Sequence, residues 1–156
     1  MSRSVTDLQL PIKERCVALV DDARNYLKRQ IIVISTLRTW PEQAKIYAQG
    51  RSLPGPIVTK ARPGFSWHNF GLAFDVAFLT GGKITWSGPW QELGALGEKR
   101  GLVWGGRFPK PDEDHFEYHY VLRDGAETKV TLAELRLEYE DLLARRGGEQ
   151  EIQWHS

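Results

Sequence analysis

The chain has 156 residues, 41% hydrophobic and 26% charged, which suits one globular domain and excludes a disordered chain. Its 21 Lys and Arg against 20 Asp and Glu leave a formal charge of +1, which argues against nucleic-acid binding by bulk charge. The single cysteine, Cys16, excludes an intramolecular disulfide and a thiolate zinc cluster, so any metal must be held by His, Asp or Glu. The opening MSRSVTDLQLPIKERC has no apolar signal core, and no apolar run approaches ~18 residues. The expectation is a chain made in the cytosol without a signal peptide or membrane span.

In chain order, Pro11 to Gln30 is expected to be helical. Ile12, Cys16, Leu19, Val20, Ala23, Tyr26 and Leu27 share a stripe at helical spacing, and Pro11 suits a first turn. Ile31 to Ser35 is a β-branched run that reads as a buried strand. Thr39 with Glu42 forms a capping box that starts a helix through Ala48, stopped by Gly50. Arg51 to Phe65 carries three prolines and two glycines and reads as a long loop of the kind that carries function.

Gly71 to Leu79 alternates as a strand, and Gly81-Gly82 turns it into a hairpin with KITW. A helix over Pro89 to Lys99 and a short strand at Leu102 to Trp104 follow. His115 to Val121 alternates as a further strand. Thr131 to Arg146 opens with a second capping box, Thr131 with Glu134, and is expected to be a packing helix. The tail after Gly148, including His155, is expected to be frayed and without a role. The whole predicts an α+β fold with a small antiparallel sheet, in a single domain over residues 1–156.

The stretch SWHNFGLAFD, Ser66 to Asp75, places a histidine and a carboxylate at the ends of an apolar run. Strand alternation puts Leu72, Phe74, Val76 and Phe78 on one face and Gly71, Ala73, Asp75 and Ala77 on the other. Asp75 thus stands among small neighbours, with space in front of it. Gly71 can turn the backbone and bring His68 back towards it. Taken alone, the pair is equally readable as a buried structural acid and a surface histidine. DEDHFEYH, Asp112 to His119, adds a second histidine at a strand start. Two histidines and an aspartate are three N/O ligands, the arrangement of a catalytic zinc site with one open position. Hydrolysis there needs a carboxylate to take and pass a proton, and Asp112 stands three residues before His115.

SWHNFGLAFD matches the Ser-x-His-x-x-Gly-x-Ala-x-Asp signature of the M15 metallopeptidases, the D-Ala-D-Ala carboxypeptidase and L-alanyl-D-glutamate endopeptidase family. DEDHFE is similar to the family's Asp-x-x-His-Phe-Glu segment, and LRTWPEQAKIYAQGRSLPGPIVTKARPG resembles the stretch that precedes the signature in phage endolysins. The likeness runs from about Leu37 to Glu117. It implies a hedgehog/DD-peptidase-like fold, with one Zn(2+) per chain on His68, Asp75 and His115. It also implies Asp112 as general base and Arg38 as the cation that stabilises an oxyanion or holds a carboxylate. Asp114 departs from the proline usual before the second histidine.

Ser66 and Gln43 also match the pattern and, with Trp67 and Glu117, are candidate substrate-binding residues; Trp40 is a further candidate for the groove. Glu117, on the strand face of His115, can instead orient that histidine. His119 is expected to be structural or exposed, and Cys16 a core residue. The implied function is a zinc-dependent hydrolase of the L-Ala-D-Glu bond in the peptidoglycan stem peptide, an endolysin acting on the wall after release, as a monomer. The alternatives are a D-Ala-D-Ala carboxypeptidase on the same site and a non-enzymatic zinc- or wall-binding module.

Overall fold

A computed structural model describes residues 1–146. Its elements in order are α1 (Leu10–Tyr26), β1 (Gln30–Ser35), α2 (Trp40–Ala48), β2 (Ala73–Thr80), β3 (Lys83–Thr85), α3 (Trp90–Lys99), β4 (Val103–Trp104), β5 (His115–Glu117), β6 (Tyr120–Arg123), β7 (Ala126–Lys129) and α4 (Leu132–Arg145). A 3-10 turn, Trp67–Phe70, precedes β2. The fold is α+β, as expected. No helix among the described residues is long and apolar enough to cross a membrane. The tail after Gly148, with His155, lies outside the described residues.

The main sheet runs β1-β2-β5-β4, with β3 on the remaining part of β2's edge, and every pairing is antiparallel. β2 is the central strand because both its faces are apolar or small: Ala73, Phe74, Val76, Ala77 and Phe78 are all fully buried. Ile12, Cys16, Leu19 and Ala23 of α1 join Phe74, Phe78, Leu93, Trp104 and Phe116 in one core. Burial pushes the Cys16 thiol up to about 12, so it stays a neutral core group.

Both capping boxes form as expected, with the Thr39 and Thr131 hydroxyls accepting from Glu42 N and Glu134 N. α4 then secures the long loop. Arg136 donates to Gly64 O at 3.2 Å and lies 3.8 Å over the Phe65 ring.

Three expectations are corrected. The first helix ends at Tyr26, not Gln30. Leu27 N and Arg29 N both donate to Ala23 O, Lys28 takes φ 54°, and the chain turns so that Gln30 can pair with Leu79. Tyr26, placed on the buried stripe, is 72% exposed because the helix stops beneath it. The expected strand His115 to Val121 is two strands in different sheets. β5 ends at Glu117, and β6 pairs with β7 in a two-stranded hairpin that the sequence reading missed. Its signal was present: Asp124 (φ 52°) and Gly125 (φ 78°) form a turn with both central residues left-handed, the Asp-Gly hairpin chemistry.

Candidate metal centre

Three pieces of local structure bring the site together. The first is register. Asp75 on β2 pairs directly with His115 on β5 and, on its other side, with Ser35 on β1. β1 carries an irregularity between Val33 and Ser35, so the row containing Asp75 lies beside a bulge. The second is the turn that carries His68. Ser66 caps it by accepting from His68 N at 3.3 Å, and Gly71 closes it at φ 65°. A side chain at Gly71 would sit 2.9 Å from Asp7 O, so both its conformation and its neighbour require glycine. The third is the loop before β5, where Asp112 N donates to Gly105 O and His115 N donates to Asp112 O.

The result is a convergence of polar atoms. His68 Nε2 lies 3.2 Å and His115 Nδ1 3.0 Å from the same oxygen, Asp75 Oδ1. One donor atom of each of the three residues lies within 4.8 Å of the other two, the one such group among the described residues. The opposite nitrogen of each ring is also held. His68 Nδ1 lies 2.7 Å from Thr36 O, and His115 Nε2 lies 2.8 Å from Glu117 Oε2. An acceptor on the far nitrogen draws the proton there and turns a lone pair towards the centre. Two imidazole lone pairs and a carboxylate then face one another, a set that calls for a cation and fits a divalent metal such as zinc.

The electrostatics of the metal-free protein agree. Burial works to lower the His115 pKa, but hydrogen bonds to Asp75 and Glu117 outweigh it and push the group up to about 10. Burial works to raise Asp75, yet hydrogen bonds from His115 and His68 hold it well below the usual carboxylate range. Without a metal, a proton on His115 supplies the missing positive charge. A metal must displace that proton. Affinity for zinc is therefore expected to rise with pH, by up to about tenfold per pH unit below about pH 10, as His115 gives up its proton. Chelator competition at several pH values measures this, and a flat profile would contradict a proton on His115 in the metal-free protein.

Glu117 occupies a particular place. Its second oxygen, Oε1, lies 2.8 Å from His119 Nε2, and the His119 ring stacks on Trp67 at 4.1 Å and 13°. Trp67 adjoins His68 in sequence, so Trp67, His119, Glu117 and His115 tie one histidine segment to the other. Glu117 and Trp67, candidates for substrate contact, are thus held against the histidines, and His119, expected to be structural or exposed, is half-buried between them. Replacing Glu117 with Gln is expected to weaken zinc binding about 10–100-fold, the usual scale for a residue that orients a ligand histidine. Equilibrium zinc titration of the folded variant would show it.

Arg38, Ser66, His68, Asp75, Asp112, Asp114 and His115 all line one pocket of ≈ 400 Å³. Burial lowers the Arg38 pKa, opposed by the charges of Asp75, Glu42 and Asp112. Burial, the Asp75 charge and a hydrogen bond with Asp112 together push Asp114 up to about 7. Gln43, a candidate for substrate contact, is fully buried. Its Oε1 accepts from Arg38 Nη1 at 3.1 Å, and its Nε2 donates to Ala61 O at 2.8 Å. Asn69 completes this network, donating to Arg38 O and accepting from Gly64 N. Asn69 and Thr36 were not singled out in the sequence; their contacts are long-range and leave no local pattern. Trp40, considered for the groove, stacks instead on Tyr139 at 4.3 Å.

The chain is similar to known peptidoglycan peptidases. An M15 peptidase family model, described as D-alanyl-D-alanine carboxypeptidase, matches residues 59–118. The chain is 33% identical over 124 residues to the peptidoglycan L-alanyl-D-glutamate endopeptidase CwlK of Bacillus subtilis (strain 168), covering 72% of this chain and 74% of that one. In fold it resembles the L-Ala D-Glu endopeptidase ChiX of Serratia marcescens, with a TM-score of 0.52 and 20% identity over 75% of this chain and 86% of that one. It also resembles the LD-carboxypeptidase LdcB, with a TM-score of 0.52 and 21% identity over 96% and 82% of the two chains. With its His-Asp-His group and this relationship to CwlK, the chain belongs to the M15 family of metallopeptidases.

Proposed function

We propose that the protein is a zinc-dependent peptidoglycan hydrolase that cuts the L-Ala-D-Glu bond of the stem peptide. The observation that carries this is one pocket holding His68, Asp75 and His115 together with Arg38 and Asp112, in a chain 33% identical to an L-alanyl-D-glutamate endopeptidase. His68, Asp75 and His115 would hold one zinc ion per chain. When bound there, zinc supplies Lewis acidity, which makes water a better nucleophile and polarises a carbonyl.

The chain's own groups do the rest. Asp112 accepts a proton from the water that attacks the carbonyl carbon. It then gives a proton to the nitrogen of D-Glu as the C–N bond breaks. Arg38, held through Gln43, offers its guanidinium to the carbonyl oxygen as negative charge builds there. The described residues share one core, which supports a single domain. The likeness of Leu37 to Gly64 to phage lysis enzymes supports an endolysin, made in the cytosol and acting on the wall after release.

A second reading, D-Ala-D-Ala carboxypeptidase, is favoured by the description of the matching family model and by Arg38, which can grip a terminal carboxylate. Digestion of pentapeptide muropeptides separates the two. The endopeptidase leaves a new N-terminal D-glutamyl peptide; the carboxypeptidase releases free D-alanine and leaves the L-Ala-D-Glu bond intact.

A further inference from the structure

Two depressions adjoin the metal pocket, and each shares residues with it. In one, Ile57, Val58, Thr59 and Lys60 of the long loop face Phe108, Lys110 and Asp112 across a cleft of ≈ 330 Å³. Val58, Thr59 and Asp112 line this cleft and the metal pocket alike. Separately, Trp86, Trp90 and Glu113 line a more open depression of ≈ 320 Å³ that meets the metal pocket at Asp114. A peptide whose cut bond lies at the metal centre can therefore extend both ways.

The two sides differ in chemistry. The first cleft carries Lys60 and Lys110, both exposed, and neither has an ion-pair or hydrogen-bond partner among the described residues. Its only acid, Asp112, sits at the shared boundary. Two free ammonium groups beside apolar Ile57 and Val58 suit a peptide that carries carboxylates. The second depression presents Trp86, 55% exposed, with its ring stacked on Trp90 at 6.4 Å and 19°. Trp90 Nε1 donates to Trp86 O at 2.9 Å, which fixes the backbone under the exposed ring. Beside it stand the Glu113 and Asp114 carboxyl groups, which accept hydrogen bonds. An open indole face rimmed by acceptors suits a sugar, whose C–H face is apolar and whose hydroxyl and amide N–H groups donate.

The substrate has the same asymmetry. Beyond the cut bond, the arm that begins at D-Glu is rich in carboxylates. Before it, L-Ala is joined to an amino sugar. We propose that the stem peptide lies across the site in one direction, with its carboxylate-bearing arm in the Lys60–Lys110 cleft and its amino-sugar end on Trp86. This rests on the endopeptidase reading above.

The test uses the zinc-loaded full chain and four substrates: stem tetrapeptides with or without the amino sugar, and with free or amidated carboxylates. The wild type is expected to prefer the sugar-bearing and the free-carboxylate forms in kcat/KM. Lys60→Gln with Lys110→Gln should lower the preference for free carboxylates about tenfold while retaining the preference for sugar. Trp86→Ala should do the reverse. The crossed pattern is a readout that a general loss of folding does not produce, and bound zinc per chain confirms each variant is intact. Variants that keep both preferences, or exchange them the other way round, would overturn the proposed direction. Products lacking a new D-glutamyl N-terminus would overturn the endopeptidase reading itself, whatever the variants do.

Discussion

Replacing Asp112 with Ala is expected to lower kcat/KM by about 10³-fold while one zinc per chain remains bound. Beside the side-chain contact with Asp114, the loop is held by its backbone. Asp112 is fixed through its backbone, donating to Gly105 O and accepting from His115 N, so His115 should stay in place when the side chain is removed. What disappears is the group that carries the proton. Asp114 lines the same pocket and hydrogen-bonds Asp112, so it is the one neighbouring acid that can substitute. Kinetics with metal analysis on the same sample give the answer. Near-normal activity in Asp112→Ala, lost only when Asp114 is also replaced, would move the base to Asp114.

Replacing Asp75 with Ala is expected to do more: zinc binding falls below detection and activity goes with it. Asp75 is the shared partner of both histidines, at 3.2 and 3.0 Å, and the only carboxylate in the ligand group. The metal-free protein should also lose stability. The proton that fills the site resides on His115 because Asp75 and Glu117 hold its pKa up to about 10. Removing Asp75 leaves a buried imidazolium with one anionic partner fewer. Breaking such a buried pair costs on the order of 3–5 kcal/mol, less whatever is recovered when His115 gives up its proton. Thermal melts of metal-free wild type and variant at pH 7 measure this. Stoichiometric zinc in Asp75→Ala would disprove the ligand assignment.

Features of this fold that depend on neighbouring residues were legible in the sequence. Thr39 with Glu42 and Thr131 with Glu134 mark helix starts that form as written, because a capping box closes within one turn. The alternation of Leu72 to Phe78 identifies a strand with Asp75 on its small-residue face. The hairpin at Asp124-Gly125 was equally local and went unread because HFEYHYV alternates without a break. Its two halves serve different sheets, and nothing in the alternation marks the change at Tyr118 and His119.

The long-range part of the site was beyond local pattern. That Asp75 faces His115 is a matter of register between strands forty residues apart; the donor types suggested a shared site in advance and the family signature assigned it. The Thr36 carbonyl behind His68, the Asn69–Gln43–Arg38 network and the Trp67–His119 stack follow from tertiary packing. They also change the sense of residues already named. Among the candidates for touching substrate, Gln43 hydrogen-bonds Arg38, Glu117 hydrogen-bonds His115, and Trp67 stacks on His119.

The most direct measurement is mass spectrometry of muropeptides digested by the purified protein, stripped of metal by chelator and then given back zinc. Cleavage at L-Ala-D-Glu should stop on stripping, return with about one equivalent of zinc, and fail to return in Asp75→Ala. Undiminished cleavage by the metal-free protein would contradict a catalytic centre built on His68, Asp75 and His115.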